Sequence, residues 1–202
     1  MRSAPPGPTV QEMLEAYASG AFPMDGPEYA DDRVPFYLAD PRTVLPISGF
    51  RIPKSVRRGM TAGQFTIRIN QAFAEVCTAC AIDRDDTWLS ARLIDSYIDL
   101  HRQGHAHSVE VWRDGALVGG LFGVSVGGLF TSESMFHRVT DAGNAAIVGT
   151  AQHLVAQGFA LWDIQMSTAH TRRFGAEVIS HDEYRTRLRA AIAAPRSFTR
   201  GR

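Results

Sequence analysis

The chain has 202 residues, 45% hydrophobic and 21% charged, and its 21 Lys and Arg balance 21 Asp and Glu. That length bounds the fold to one core, or to a main domain with a small appendage, and zero net charge argues against a protein coated in nucleic acid. No apolar run approaches the ~20 residues of a membrane helix, and MRSAPPGPT lacks an apolar stretch after its arginine, so a cytoplasmic protein with no signal peptide and no membrane contact is expected.

In chain order, VQEMLEAYASG predicts a short amphipathic helix stopped by Gly20, and Pro23, Pro27, Pro35, Pro41 and Pro46 mark the stretch after it as loops. Arg51, Lys54, Arg57, Arg58 and Arg68 then follow one another with no acid between them, either a solvated face or a patch for phosphates. Residues 1–62 are expected to form a small N-terminal lobe and residues 63–202 the main domain. FTIRI alternates as a strand, Gln71–Ala81 reads as a helix, and Ser90–Gln103 as a second helix ended by Gly104, with Leu93, Ile94, Tyr97, Ile98 and His101 on one stripe. Cys77 and Cys80 lie at i and i+3 of the first of these helices and read as core side chains, because no second pair completes a zinc site. No histidine spacing suggests metal ligation, so no metal site is expected. From His107, alternating strands meet at Asp114-Gly115, a strong hairpin turn, and at Gly127-Gly128. Thr140–Gln157 then predicts a helix, Phe159–Met166 a strand, and the remainder a helix-rich tail broken at Gly175. The fold class is α+β, a mixed and mainly antiparallel sheet flanked by helices, and the order of elements resembles that of the GNAT N-acetyltransferases.

Three polar side chains stand in otherwise apolar strands: Glu133, Asp163 and Gln165. An unpaired buried polar group costs roughly 1–3 kcal/mol, so each must bond within the fold or be held for a ligand. Asp163 and Gln165, two apart on one strand, are expected on the same face, either as a relay in which the carboxylate orients the carboxamide or as a strand-end bond to a helix. Glu133 suits a ribose hydroxyl, an amine or an amide donor, or an ion pair with an arginine. Trp88 follows a run of acids and reads as core or as a surface on which a base stacks.

Taken together, GAFP (20–23), ADPR (39–42), DTWL (86–89), GHAHSVEVW (104–112), LVGGLFGV (117–124), SESMF (132–136) and DIQ (163–165) resemble the leucyl/phenylalanyl-tRNA–protein transferase family over about residues 17–188. The resemblance implies an enzyme that moves Leu or Phe, with Met a further donor, from aminoacyl-tRNA to an N-terminal Arg or Lys of an acceptor protein. The product is an N-degron. No cofactor is implied, since the aminoacyl ester is already activated, and a monomer is expected. Carried over by position, Glu133 would hold the aminoacyl-adenosine end, and Gln165 with Asp163 would orient or deprotonate the amine. Tyr37, Trp88, Leu121, Phe130 and Ser132 would bind the donor, and Lys54, Arg57 and Arg58 the acceptor stem. Asp83, Asp85 and Asp86 are candidates for reading the acceptor's cationic side chain. This chain departs from the family in Met24, in Phe36-Tyr37 where a tryptophan pair is usual, and in Ala142-Gly143-Asn144 where Ala-Ser-Lys is common. The alternatives are an acyl-CoA-dependent N-acyltransferase of the same fold and a non-catalytic tRNA- or peptide-binding module.

Overall fold

A computed structural model describes residues 5–30, 32–82 and 88–199; Asp83, Asp85 and Asp86 lie outside the described residues. Helix α1 (Val10–Ser19) starts at a capping box in which Thr9 and Glu12 bond each other's backbone, and stops at Gly20, whose φ of 89° suits the left-handed cap. It buries Met13 and Tyr17. Strands β1 (Phe22–Pro23) and β2 (Phe36–Tyr37) form a small antiparallel ladder, and β3 (Arg42–Leu45) follows. Next come α2 (Lys54–Gly63), β4 (Thr66–Ile69), α3 (Phe73–Ala81) and α4 (Ala91–Arg102), the last capped by Ser90. The meander β5 (Ala106–Arg113), β6 (Ala116–Val126) and β7 (Leu129–His137) turns at Asp114 and Gly115, both at positive φ as a tight primed turn requires. After it come α5 (Ala142–Gln157), β8 (Leu161–Asp163), the one-turn α6 (Ala169–Arg172), β9 (Glu177–Ile179) and α7 (His181–Ile192).

The main sheet has seven strands in the order β4-β5-β6-β7-β8-β3-β9. Only β7 and β8 run parallel among its pairs, joined by the crossover through α5. Strand β3, from the segment before residue 63, lies between β8 and β9, so residues on both sides of that position share one sheet. Each face carries a core. On one, Met13, Tyr17, Val76, Leu93 and Tyr97 from α1, α3 and α4 cover Phe122 and Phe136. On the other, Val56 of α2 and Ile147 and Leu154 of α5 cover Leu121, Phe130 and Trp162. Phe198 closes the second core, with its ring stacked 4.3 Å from that of His107 and 4.9 Å from Phe130. Helix α7 adds Tyr184 and Leu188 against Leu129 and Leu161.

Cys77 and Cys80 are buried in the α3 core, and Cys77 is pushed well above the usual thiol range by that burial. Strand β8 is shorter than the predicted Phe159–Met166, because the chain beyond Asp163 turns: Gln165 has a φ of 53°, and the Met166 N–H bonds the Ile164 carbonyl.

Candidate active site

The site is built where two parallel strands part. β7 and β8 pair only over Leu129–Thr131 and Leu161–Asp163. Beyond that point β7 runs on with β6 to His137, whereas the chain after Asp163 stays with β3 through Ile164 N–H to Thr43 O and Thr43 N–H to Gln165 O. Opposite β6 the register slips: Phe122 faces Ser134 and Gly123 faces Ser132, which leaves Glu133 as the extra residue of a β-bulge. Bulges re-aim side chains, and this one sends Glu133 toward α4. Gly123 permits it, since a Cβ there would lie 2.2 Å from the Thr131 carbonyl oxygen and 2.6 Å from the Phe130 ring.

Gln165 bridges the gap, its Nε2 donating to Glu133 Oε1 at 3.2 Å. The other carboxylate oxygen accepts from the Tyr97 hydroxyl at 3.1 Å, and the Tyr17 hydroxyl lies 2.9 Å from that of Tyr97. Tyr17 and Tyr97 are both buried, so a carboxylate at this depth loses hydration. Burial raises the Glu133 pKa to about 8, against the hydrogen bonds of the tyrosines, which favour the ionised form. Glu133 itself remains half-buried, so one side of it is open to a ligand.

Asp163 is committed within the fold. It is fully buried and takes Arg42 Nε at 2.9 Å and Nη2 at 2.6 Å, the Tyr184 hydroxyl at 2.6 Å and the Gln165 backbone N–H at 2.9 Å. Arg42 is 1% exposed and spends its Nη1 on the Gly20 carbonyl, which ties α1 to the same ion pair. The bonds of Asp163 match the strand-end reading, with Tyr184 as the helix contact, and the arginine partner imagined for Glu133 belongs to Asp163 instead. Asp163 orients Gln165 through the backbone, while Glu133 orients the carboxamide.

Of the other expected residues, Trp88 packs edge-on to Tyr97 at 6.5 Å, beside this cluster. Leu121, Phe130 and Ser132 face the opposite side of the sheet: the first two are core under α5, and the Ser132 hydroxyl accepts the Trp162 indole N–H at 2.8 Å. Trp162 also lines an open groove of about 1130 Å³ on that side, with Leu45, Phe50 and Ala151, to which neither Glu133 nor Gln165 contributes. The Tyr37 hydroxyl is shared with Tyr29 at 2.8 Å on an exposed strand. Lys54, Arg57 and Arg58 are exposed on α2. Sequence reasoning passed over Tyr17, Arg42, Tyr97 and Tyr184; Tyr97 stood on an apolar helical stripe and looked like core.

The arrangement offers a carboxylate of near-neutral proton affinity beside a carboxamide whose N–H₂ is engaged. Among the described residues the side-chain oxygen Oε1 of Gln165 accepts no bond, which leaves it for a substrate N–H. No group of three or more metal-binding side chains gathers among the described residues, and no described helix is long and apolar enough to cross a membrane.

Comparison with known proteins bears on these features. The profile of the family described as leucyl/phenylalanyl-tRNA protein transferase matches residues 44–189. Proteins named leucyl/phenylalanyl-tRNA–protein transferase include one from Phenylobacterium zucineum, 44% identical over 93% of this chain and 86% of its own length. Another, from Paramagnetospirillum magneticum, is 43% identical over 95% of this chain and 93% of its own. Among solved structures, a GCN5-related N-acetyltransferase from Kribbella flavida aligns with a TM-score of 0.48 and 16% identity over 80% of this chain and 57% of that one, too loosely to bear on the reaction.

Proposed function

Because the chain belongs to the leucyl/phenylalanyl-tRNA–protein transferase family and is therefore read as an aminoacyltransferase, we propose that it moves leucine or phenylalanine from aminoacyl-tRNA to acceptor proteins that begin with Arg or Lys, marking them for degradation. The observation that carries the mechanism is the Gln165–Glu133 bond, which engages the Gln165 side-chain nitrogen and leaves its side-chain oxygen Oε1 with no bond from the described residues. That oxygen receives an N–H of the acceptor amine and aims its lone pair at the ester carbonyl. An aminoacyl ester needs no further activation, so positioning supplies most of the rate, and well-oriented pairs gain about 7–11 kcal/mol in this way.

Glu133 is assigned the aminoacyl-adenosine end and also the proton. Its pKa of about 8 matches that of an α-amine, about 7.7–8.0, so proton transfer between them is nearly isoenergetic. Asp163 is not assigned the proton, since Arg42, Tyr184 and the Gln165 backbone N–H occupy its oxygens. In the balanced step the C–N bond forms, the ester C–O bond breaks, and the departing ribose oxygen takes the proton that the amine gave to Glu133. Trp88, beside Tyr97, is proposed to stack on the terminal adenine, and Tyr37 to shape the donor pocket from strand β2, with Leu121, Phe130 and Ser132 supporting the sheet behind it from the α5 side. Lys54, Arg57 and Arg58 would meet acceptor-stem phosphates. An acyl-CoA donor is disfavoured by Asp141, whose carboxylate stands at the start of α5, where a pyrophosphate would need bare N–H groups.

The test is transfer of labelled leucine or phenylalanine from charged tRNA to a peptide beginning with Arg or Lys, with a Glu-initiated peptide and acetyl-CoA in parallel. Transfer confined to the basic N-termini is expected. Glu133→Gln should lower kcat by about 10²-fold, and Gln165→Ala by roughly 10- to 100-fold. Acetylation without aminoacyl transfer would overturn the reading.

A further inference from the structure

The short helix α6 carries two exposed arginines, Arg172 and Arg173, at its C-terminal end. Some exposed arginines find carboxylates, as Arg33 does with Glu12, Arg102 with Asp99 and Arg187 with Glu183, while Arg57 and Arg58 of α2 have none within ion-pair distance among the described residues. Arg172 and Arg173 have no carboxylate within ion-pair distance among the described residues; Arg172 reaches the Ser167 hydroxyl at 3.1 Å, and Arg173 reaches the Ser55 hydroxyl of α2 at 3.3 Å. That second bond sets α6 against the turn of α2 that carries Lys54, Arg57 and Arg58. Asp141, a carboxylate beside this surface, is tucked against Gly59 and held by the Asn144 amide at 2.6 Å.

The platform is fixed from below. Phe174, fully buried, stacks on Phe50 at 5.8 Å, the His170 Nε2 bonds Asn144 Oδ1 at 2.8 Å, and Thr168 and Thr171 cap the helix reciprocally. Guanidinium groups held this way lose little further freedom when they meet a phosphate. Position also matters, because α6 opens only four residues after Gln165, a span of at most ~14 Å of chain. A few nucleotides at ~3.4 Å each cover that distance, so these arginines lie within reach of the duplex that follows a short single-stranded 3′ end.

We propose that Arg172 and Arg173 form, with Lys54, Arg57 and Arg58, one continuous surface for the phosphate backbone of the tRNA acceptor stem. This rests on the reading of α2 as a tRNA contact. The experiment measures binding of uncharged tRNA against salt concentration. Arg172→Gln with Arg173→Gln should flatten the slope of log K against log salt by about 2, one for each phosphate that no longer meets a cation. The variant should raise KM for aminoacyl-tRNA roughly tenfold, leaving kcat and transfer from 3′-aminoacyl-adenosine unchanged. Replacement of both by lysine should restore the slope, since a phosphate accepts either cation. Ser55→Ala, which removes the link to α2 and no charge, should leave it unaltered. A double glutamine variant with the wild-type slope, on a protein that does bind tRNA, overturns this inference alone. A wild-type protein that binds no tRNA overturns the reading of α2 with it.

Discussion

Ionising Glu133 in its buried setting carries a thermodynamic cost. Its pKa of about 8 in the folded chain exceeds the ordinary glutamate value of 4.5, so between those limits the folded state binds a proton that the unfolded state has released. The resulting penalty begins at about pH 4.5 and is complete above about pH 8, and stability falls as pH rises through that window. Glu133→Gln should therefore flatten the fall in Tm between pH 6 and 9 while it impairs transfer; parallel melting curves for the two proteins would refute the assignment. Asp163 matters instead as the counter-charge of Arg42. Asp163→Asn leaves the Arg42 guanidinium, 1% exposed, without its counter-charge and should cost about 3–5 kcal/mol in urea denaturation. A loss of activity in that variant is thus partly a loss of fold. Glu133, Asp163 and Gln165 were legible in the sequence because a polar group in an apolar strand needs a reason. Tyr17 and Tyr97 were not, since a tyrosine on an apolar helix face satisfies the pattern of a core residue, and only the folded structure shows where its hydroxyl ends.

At the scale of elements, the bulge in β7 decides which way the site faces. Phe130 and Phe136 are an even number of residues apart, and strict alternation would send both to one side of the sheet. Phe130 instead packs under α5 and Phe136 under α3 and α4, because the extra residue at Glu133 reverses the phase between them. A one-residue insertion leaves no mark in a hydrophobicity pattern, so the change of phase between Phe130 and Phe136 could not be read from sequence. Gly123→Ala tests the device. Its Cβ would collide with the Thr131 carbonyl and the Phe130 ring, with an expected loss of roughly 1–3 kcal/mol by chemical denaturation and a larger fractional loss of transfer. The helices were easier to read: Gly20 and Gly104 end α1 and α4 with left-handed backbone that other residues rarely adopt. β8 was overextended, since Ile164 and Met166 continue the apolar alternation while Gln165 takes positive φ and turns the chain.

Over the whole molecule, the arrangement of strands is what the sequence concealed. Arg42–Leu45 is too short and too proline-flanked to announce a strand, yet it separates β8 from β9 and supplies the partner of Asp163. A fragment of residues 63–202 would lack that strand, leaving β9 with nothing to pair with and Asp163 with no cation. It should be unfolded or molten, with lost near-ultraviolet circular dichroism and no cooperative melt; a cooperative melt would show that the N-terminal segment is dispensable. The same placement sets a timetable during synthesis. Arg42 emerges 121 residues before Asp163, and β3 has neither neighbour in the sheet until more than half the polypeptide has followed it. For that interval a cation destined for burial and two bare strand edges remain in water, so the N-terminal segment cannot mature as it leaves the ribosome and must wait to be enclosed from both sides by what is made last.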